Sequence, residues 1–397
     1  MVQKEHEVVV EAFPSKNGDS FLINIKDNYF LIDAGYVTTY HNYIKPRLIK
    51  LDGEGKRLSR VIITHIDTDH ISGSIKFLEE NNENEIIGVD QIWHNSYRNL
   101  YSHEKTIELT KRSIQLLDSL KQSIDVNSDN KMISAKQGSS LAALILEGEY
   151  KWNTDFKDGV ISRGAKDKQI SDAVNFEIIS PNKGKLNALK KFWEKELYKL
   201  GFRDKITNDP LFDDAFEFLL LKEKEKYLPR DEKKISKKIL SIDDLLEKKF
   251  YEDKSVTNGS SIAFVIETEQ KRVLFLSDAH PTLISKEIEK RYQDKEFPIY
   301  FDLIKVSHHG SFSNNSPKLF QLIDSRNFLI STDGTKHGHP DLSTLAWIIS
   351  RSSDFERCIH FNYENEGSKF LDNSKWKSQY NYTITVPEQG SSLIISL

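Results

Sequence analysis

Cysteine is almost missing from this chain. Cys358 is the single example among 397 residues, so no internal disulfide can form. It stands in Arg357-Cys358-Ile359-His360-Phe361, which reads as a strand carrying a buried thiol. No apolar run is long enough to span a bilayer. The first residues lack the charged-then-apolar pattern of a signal peptide. The expectation is therefore a cytoplasmic protein with no membrane partner. An excess of positive charge is also lacking. The formal net charge of −4 argues against a nucleic-acid binder that relies on bulk charge, while leaving a local basic groove open. No repeat at a solenoid period is visible. The composition, 38% apolar and 29% charged, is that of an ordinary globular chain, long enough for one large domain or two smaller ones.

The most informative stretch is His65-Ile66-Asp67-Thr68-Asp69-His70. It follows Val61-Ile62-Ile63, a short buried strand by pattern, and precedes Ser72-Gly73-Ser74-Ile75-Lys76-Phe77-Leu78, which reads as the start of a helix with a serine near its cap. Four side chains able to bind metal thus share one loop at the carboxyl end of a strand, where open α/β sheets place their sites. Imidazole nitrogens and carboxylate oxygens suit zinc, manganese and iron. A solvated turn is the plain alternative. A calcium loop fits poorly, because Ile71 occupies the next alternate position and no glycine turn or bidentate glutamate follows.

Strand-like alternation marks residues 7–11, 20–25 and 29–33, with further strands at 60–64, 88–93 and 176–180. Residues 101–124 read as an amphipathic helix with an apolar stripe of Ile107, Leu109, Ile114, Leu116, Leu117 and Leu120. From about 183 to 254 lysine and glutamate become dense and glycine scarce, and 186–200 and 235–250 have helical spacing. This region reads as a helical insertion whose removal should leave the rest folded. Its charged surface is either a solvated face or a substrate cap or protein-partner surface. Strands are predicted at 261–267, 272–277, 302–306 and 328–331. Helices are predicted at 284–293, 316–324 and 342–351. The two apolar runs 382–386 and 392–396, separated by Pro387 and Gly390, read as a hairpin. Strands leading into helices in both halves suggest two sheets enclosed between helices.

Three more clusters follow apolar strands. Ser277-Asp278-Ala279-His280 places an acid at a strand end, where an aspartate also commonly caps a helix. Lys305-Val306-Ser307-His308-His309-Gly310-Ser311 places adjacent histidines before a glycine turn, and His337-Gly338-His339-Pro340 a second pair. Two of the three clusters carry paired histidines although His is only 12 of 397 residues, which favours chemistry over packing.

This set, in this order, resembles the metallo-β-lactamase superfamily, and within it the soluble hydrolase domain of the competence DNA-uptake channel ComEC/Rec2. The resemblance rests on Gly18-Asp19-Ser20, Leu31-Ile32-Asp33-Ala34-Gly35, Thr64-His65-x-Asp67-x-Asp69-His70, Asn258-Gly259-Ser260-Ser261-Ile262, Ser277-Asp278-Ala279, the His308-His309-Gly310-Ser311 run and Gly338-His339-Pro340. It spans most of the chain except roughly 95–170 and 183–254. It implies an α/β fold, the αββα sandwich of that superfamily, with the whole chain as one hydrolase domain interrupted by a helical insertion. The chain departs from the superfamily pattern at Asp67, which replaces a histidine, and at Asn258, which stands where many members have a ligand histidine; His94 is a candidate substitute. The chain is also similar to stand-alone metallo-β-lactamase proteins of anti-phage operons of the AVAST type, which implies partner proteins and an activity silent until infection.

Carried over by position, the resemblance implies two divalent ions, manganese or zinc. His65 and Asp67 would hold the first, Asp69 and His70 the second with His308, and Asp278 would bridge them. Three carboxylates and a bridging hydroxide would balance two divalent ions, and the carboxylate-rich set shifts the expectation toward manganese. A metal-held hydroxide suits in-line phosphodiester hydrolysis. Catalytic positions would be Asp69, Lys305, His309 and His339. Lys305 or His339 would steady charge on phosphoryl oxygens and His339 would protonate the leaving group. His309 and His337 would face substrate or support the ligands, and Asp33 would be a supporting or structural acid. A lysine in Lys305's position also commonly just reaches solvent. The expected activity is that of a metal-dependent phosphodiesterase or nuclease acting on nucleic acid or another phosphodiester. Hydrolysis of a lactone, thioester or peptide, and a partner-activated defence role, stay open.

Overall fold

The computed structural model describes residues 7–101, 109–122, 140–164, 168–171, 173–204, 212–217 and 241–397. Among them, no helix is long and apolar enough to cross a membrane.

The first layer begins with β1 (Val8–Ala12), β2 (Ser20–Ile25) and β3 (Asn28–Ala34). Successive strand residues face opposite sides. Phe21, Ile23, Phe30 and Ile32 therefore enter one core cluster, and Leu22, Tyr29 and Leu31 another. β4 (Leu58–Ile62) and β5 (Ile92–Trp93) extend the sheet in parallel, and β16 (Leu393–Ser396) closes the other edge. The order is β16-β1-β2-β3-β4-β5.

The second sheet contains β6 (Lys168–Ser171), β7 (Val174–Ser180), β8 (Ala263–Glu267), β9 (Arg272–Phe275), β11 (Leu303–Lys305), β13 (Asn327–Ile330), β14 (Arg357–Phe361) and β15 (Tyr382–Thr385). Its order is β15-β14-β13-β11-β9-β8-β7-β6, and a short parallel pair joins β10 (Ile299–Phe301) to β12 (Ile323–Ser325). The sheets meet through an aromatic core in which Phe30 lies 5.0 Å from Phe176 and Phe21 lies 5.5 Å from Phe275, centroid to centroid. Helix Thr68–Glu83 covers the outer face of the first sheet through Phe77 and Leu78. Helices Pro281–Arg291, Pro317–Leu322 and Leu342–Ile349 cover the second through Ile284, Ile288, Leu319, Leu345 and Ile348. The result is the expected αββα sandwich, two sheets enclosed between helices.

Some local expectations change. The terminal runs do not form a hairpin: β15 pairs in parallel with β14 of the second sheet, and β16 pairs antiparallel with β1 of the first. Pro387 and Gly390 bend the chain, but burial of Leu393 and Ile395 between the sheets decides where β16 goes. The helix expected at 316–324 stops at Leu322, because Ile323–Ser325 pairs with Ile299–Phe301 and Asp324 is held by Arg351 and Arg357. Only two residues of the 88–93 stretch are strand. Cys358 is half-buried rather than enclosed.

The helix expected over 101–124 is seen as Lys111–Gln122; residues 102–108 and 123–124, with Ile107, lie outside the described residues. Between β7 and β8, which are antiparallel neighbours, run helices Lys183–Lys199 and Ile242–Leu246 and a helical turn at 212–217. The 235–250 pattern is helical only at Ile242–Leu246 among the described residues. Trp193, Leu197, Phe212 and Phe216 of this region bury against Tyr97, Tyr101, Leu141 and Ile145. Trp93, Tyr97 and Tyr101 are thus core residues.

Candidate metal centre

The centre is built where strand ends of both sheets converge. The helix after β4 starts earlier than its serines suggest: Thr68 is its first residue and Asp67 its N-cap, so the ligand motif itself forms the entry. Ser72 lies inside and bonds back to the Thr68 carbonyl. Asp67 makes no side-chain cap bond, because its Oδ2 lies 2.9 Å from His65 Nε2. Two glycines permit the close packing. A Cβ on Gly73 would stand 2.0 Å from the Ala34 carbonyl oxygen, and one on Gly18 would stand 2.1 Å from the Asp69 carbonyl oxygen.

Hydrogen bonding behind the centre sets the imidazole tautomers. Asp33 accepts from the Thr64 backbone N–H at 2.8 Å, the Thr64 hydroxyl at 2.7 Å and His70 Nδ1 at 2.8 Å. Thr64 has one hydroxyl proton and gives it to Asp33, so at 2.9 Å it accepts from His65 Nδ1. The lone pair of His65 Nε2 then faces carboxylate oxygens of Asp67 at 2.9 Å and Asp278 at 3.5 Å. His309 Nδ1 donates to the Ser331 carbonyl at 2.8 Å, leaving Nε2 3.7 Å from Asp69 Oδ2. His308 Nδ1 pairs with Asn314 Oδ1 at 2.8 Å, and its Nε2 is 3.6 Å from Asp278 Oδ2. His70 Nε2 is 3.9 Å from the same oxygen.

Nitrogen lone pairs facing carboxylates repel unless a cation lies between them. His70 Nε2, His309 Nε2 and Asp278 Oδ1 are buried and without a hydrogen-bond partner. The donor atoms fall into three sets, His65 with His70 and Asp278, Asp69 with His70 and His309, and Asp278 with His308 and His309, each within 4.8 Å. Two nitrogens on one tetrahedral zinc lie about 3.4 Å apart, so the spacing and chemistry of these sets fit divalent ions. Electrostatics agree. Burial works against a charged His70, yet Asp33, Asp278 and Asp69 outweigh it and hold the imidazole up at about 10. Burial likewise opposes ionisation of Asp278, but His308, His65 and His70 hold its carboxyl well below the usual range. A proton or a metal ion has to sit among these groups.

The structure brings together His65, Asp67, Asp69, His70, Asp278, His308 and His309. It differs from the sequence expectation in placing His309, rather than His308, beside Asp69 and His70; His308 faces Asp278. The cause is the left-handed backbone of both residues, φ 42° at His308 and 54° at His309, which splays the adjacent rings. Asp33, Ser277 and His337 also have positive φ, so uncommon backbone geometry gathers at the centre.

Lys305 is not where a phosphate-facing lysine belongs. It shares the inter-sheet face of β11 with Leu303, is fully buried, and its ammonium is bound by Asp19. It reaches neither solvent nor the mouth of the site. His339 lies at the mouth, its ring 5.5 Å from that of His308, and burial together with His308 and His309 drives it well toward the neutral form. His337 is exposed, 6.1 Å from His339 ring to ring. His94 is buried with Nδ1 3.3 Å from the Ile63 carbonyl, is pushed down to about 4 by burial, and is in none of the three donor sets. Asn258 turns its Nδ2 to Asp253 at 2.7 Å.

Sequence reasoning missed several contributors. Asn17 donates to Asp69 Oδ2 at 2.9 Å and accepts from Tyr36 at 3.0 Å. Burial opposes ionisation of Asp69, but His70, His309 and then Lys336, beside the His337 and His339 pair, hold its carboxyl below the usual range. Asn17 adjoins the Gly18-Asp19 turn, which was a signal; Asn314 and Asp253 carry none, since their roles exist only through tertiary contacts.

Residues 15–97 match the model of the metallo-beta-lactamase superfamily. No curated protein matches the chain. Among solved structures, Igni18, a novel metallo hydrolase from the hyperthermophilic archaeon Ignicoccus hospitalis, aligns over 98% of this chain and 99% of its own, at 8% identity and a TM-score of 0.36. The metallo-beta-lactamase fold protein YhfI from Bacillus subtilis aligns over 98% of this chain and 100% of its own, at 10% identity and a TM-score of 0.35. The matched stretch, residues 15–97, contains His65, Asp69 and His70 of the clustered His and Asp side chains.

Proposed function

We propose that the protein is a metal-dependent phosphodiesterase, with nucleic acid as the favoured substrate. The observation that carries this reading is the convergence of His65, His70, His308 and His309, whose Nε2 atoms face Asp67, Asp69 and Asp278 across 2.9–3.9 Å. Divalent ions bound there would supply water activation at neutral pH and positive charge for an in-line displacement. His65, Asp67 and Asp278 would hold one ion, and Asp69, His70 and His309 the other. Asp278 would serve both, and His308, whose Nε2 faces Asp278, would be a further ligand. Three carboxylates favour a harder ion such as manganese without excluding zinc.

The remaining work falls to this chain's own groups. Asp33, Thr64 and Ser331 keep the Nδ1 protons of His65, His70 and His309 turned away from the ions. Asn17 orients Asp69. Lys336, His337 and His339 line the mouth, where an anionic phosphate would meet one lysine and two neutral imidazoles. His339 is the group placed to give a proton to a leaving oxygen once an anionic substrate restores its charge. Lys305 has a structural role behind the centre. The resemblance to the competence-type hydrolase domain supports a nucleic-acid substrate, and the similarity to anti-phage proteins supports a protein partner, for which the 183–254 segment is the candidate surface. A cytoplasmic setting belongs to the same proposal.

The test is cleavage of labelled single-stranded DNA, duplex DNA, RNA and a bis-aryl phosphodiester with manganese or zinc, by wild type and Asp69→Ala. Cleavage abolished in Asp69→Ala supports the proposal, and the substrate pattern separates nuclease from small-molecule enzyme. A metal-loaded wild type inert on all four moves the reading to lactone, thioester or peptide substrates, or to an enzyme awaiting a partner.

A further inference from the structure

We infer that Asp253 is a positioning residue for the metal centre, acting through the Asn314 side chain on the tautomer of His308. The inference rests on the metal-hydrolase reading above. It also assigns the 183–254 segment, which the superfamily resemblance does not cover, a direct part in building the site.

The argument runs through one amide. Asn314 Nδ2 lies 3.2 Å from Asp253 Oδ2 and 3.1 Å from the Asp278 carbonyl oxygen. Both partners accept only, so the NH2 group belongs there and Oδ1 faces His308 Nδ1 at 2.8 Å. An amide oxygen accepts, so His308 Nδ1 carries the hydrogen and the Nε2 lone pair points at Asp278 Oδ2, 3.6 Å away. Asp253 also takes Asn258 Nδ2 at 2.7 Å on the same oxygen, and that Nδ2 lies 3.5 Å from His308 Nδ1. Asp253 thus turns the donor ends of two amides toward itself.

Asp253 is itself held firmly. Its Oδ1 accepts from the Ser255 N–H at 2.8 Å, and its own N–H donates to the Ser313 carbonyl at 3.1 Å. His280 Nε2 stands 3.7 Å from Oδ2. Without the carboxylate, only the Asp278 carbonyl selects the orientation of Asn314. A flipped Asn314 would present its NH2 to His308 Nδ1. His308 would then carry its proton on Nε2, and a protonated Nε2 cannot bind a metal ion. The residue therefore works without touching ion or substrate.

The experiment uses the full chain with Asp253→Ala and the near-isosteric Asp253→Asn, beside Glu252→Ala. Two readouts are taken: the 15N shifts of the His308 imidazole in metal-free protein, assigned by their loss in His308→Gln, and zinc binding by calorimetry. Wild type, at a pH high enough to leave His308 neutral, should show a protonated Nδ1 and an unprotonated Nε2 at His308. Asp253→Ala should lose that pattern and bind its weaker zinc ion about 10- to 100-fold less tightly, the usual effect of removing such a support. Asp253→Asn keeps one oxygen acceptor and should recover part of both, and Glu252→Ala should match wild type. Unchanged His308 shifts and zinc constants in folded Asp253→Ala or Asp253→Asn overturn the inference. A wild type that binds no zinc overturns the metal-hydrolase reading instead, while the imidazole shifts still decide what Asp253 does to His308.

Discussion

Asp33 grips His70 from behind, its Oδ2 2.8 Å from His70 Nδ1, and the same carboxylate takes both the hydroxyl and the backbone N–H of Thr64. One buried acid thereby orients two imidazoles of the candidate centre, because Thr64 passes the constraint on to His65. Asp33→Asn should break the arrangement chemically rather than sterically. Its new NH2 has to face Thr64 Oγ1 and His70 Nδ1, which moves the His70 proton onto Nε2. Metal affinity should fall about 10- to 100-fold, with a smaller loss of stability, about 1–3 kcal/mol for the mismatched donors. Metal content after gel filtration, compared with the denaturation midpoint, checks this. Wild-type metal content in Asp33→Asn would show that the carboxylate does not control the imidazoles.

Lys305 and Asp19 predict the opposite pattern. Both are buried, and they face each other between the sheets. Burial alone would raise the Asp19 carboxyl, but Lys305 and His309 hold it far below its ordinary range. Lys305→Met leaves a buried carboxylate without its main partner, which costs about 3–5 kcal/mol. Removing both charges, with Asp19→Asn added, should recover much of that in urea denaturation. A lysine that touched substrate would instead lower kcat/KM at an unchanged denaturation midpoint.

The His65 to His70 cluster was legible because its residues are close in sequence: they form a single helix entry after a strand. Asp278 and the His308-His309 pair were legible as strand-end acids and imidazoles, and the period-two pattern gave the layers. The division of labour within His308-His309 was not, because it depends on a left-handed turn that no neighbouring glycine demanded of those two residues. Lys305 misled for a related reason. Its strand alternation places it between the sheets with Leu303, but only Asp19, 286 positions away, makes that burial tolerable. The terminal hairpin failed because local turn signals were read as pairing, whereas each strand found a partner in a different sheet.

The composition of the 183–254 segment suggests a removable insertion, and its packing changes that expectation. Tyr97 lies 5.3 Å from Phe212 and 6.1 Å from Trp193, ring to ring, and Trp193 lies 5.3 Å from Phe216. These residues lie in the two stretches that the superfamily resemblance leaves uncovered, which pack here against each other. Deleting 186–252 alone would expose Tyr97, Tyr101, Leu141 and Ile145, each worth roughly 1.5–3 kcal/mol of burial. The deletion should be insoluble, and polar replacements at those four positions should restore solubility. A soluble, cooperatively folding simple deletion would show that the segment contributes little to the core.

Glu217 joins the same two stretches and gives the pH dependence of their contact. It accepts from the Leu141 and Ala142 N–H groups at 2.8 and 3.2 Å and from the Ser96 hydroxyl at 3.2 Å. Complete burial, with Asp213 and Asp214 nearby, pushes its carboxyl up from 4.5 to about 8. The folded protein therefore holds a proton that the unfolded chain releases above about pH 4.5. The stabilisation from this group is complete below that pH and is lost progressively as pH rises to about 8, with a slope of at most about 1.4 kcal/mol per unit. Glu217→Gln keeps an oxygen for only one of the two helix N–H groups, which bind different carboxylate oxygens, a cost that does not depend on pH, and it has no proton to lose. Its melting temperature relative to wild type should therefore rise steadily from pH 5 to pH 8. Parallel melting profiles across that range would place the charge of Glu217 outside the energetics of the contact.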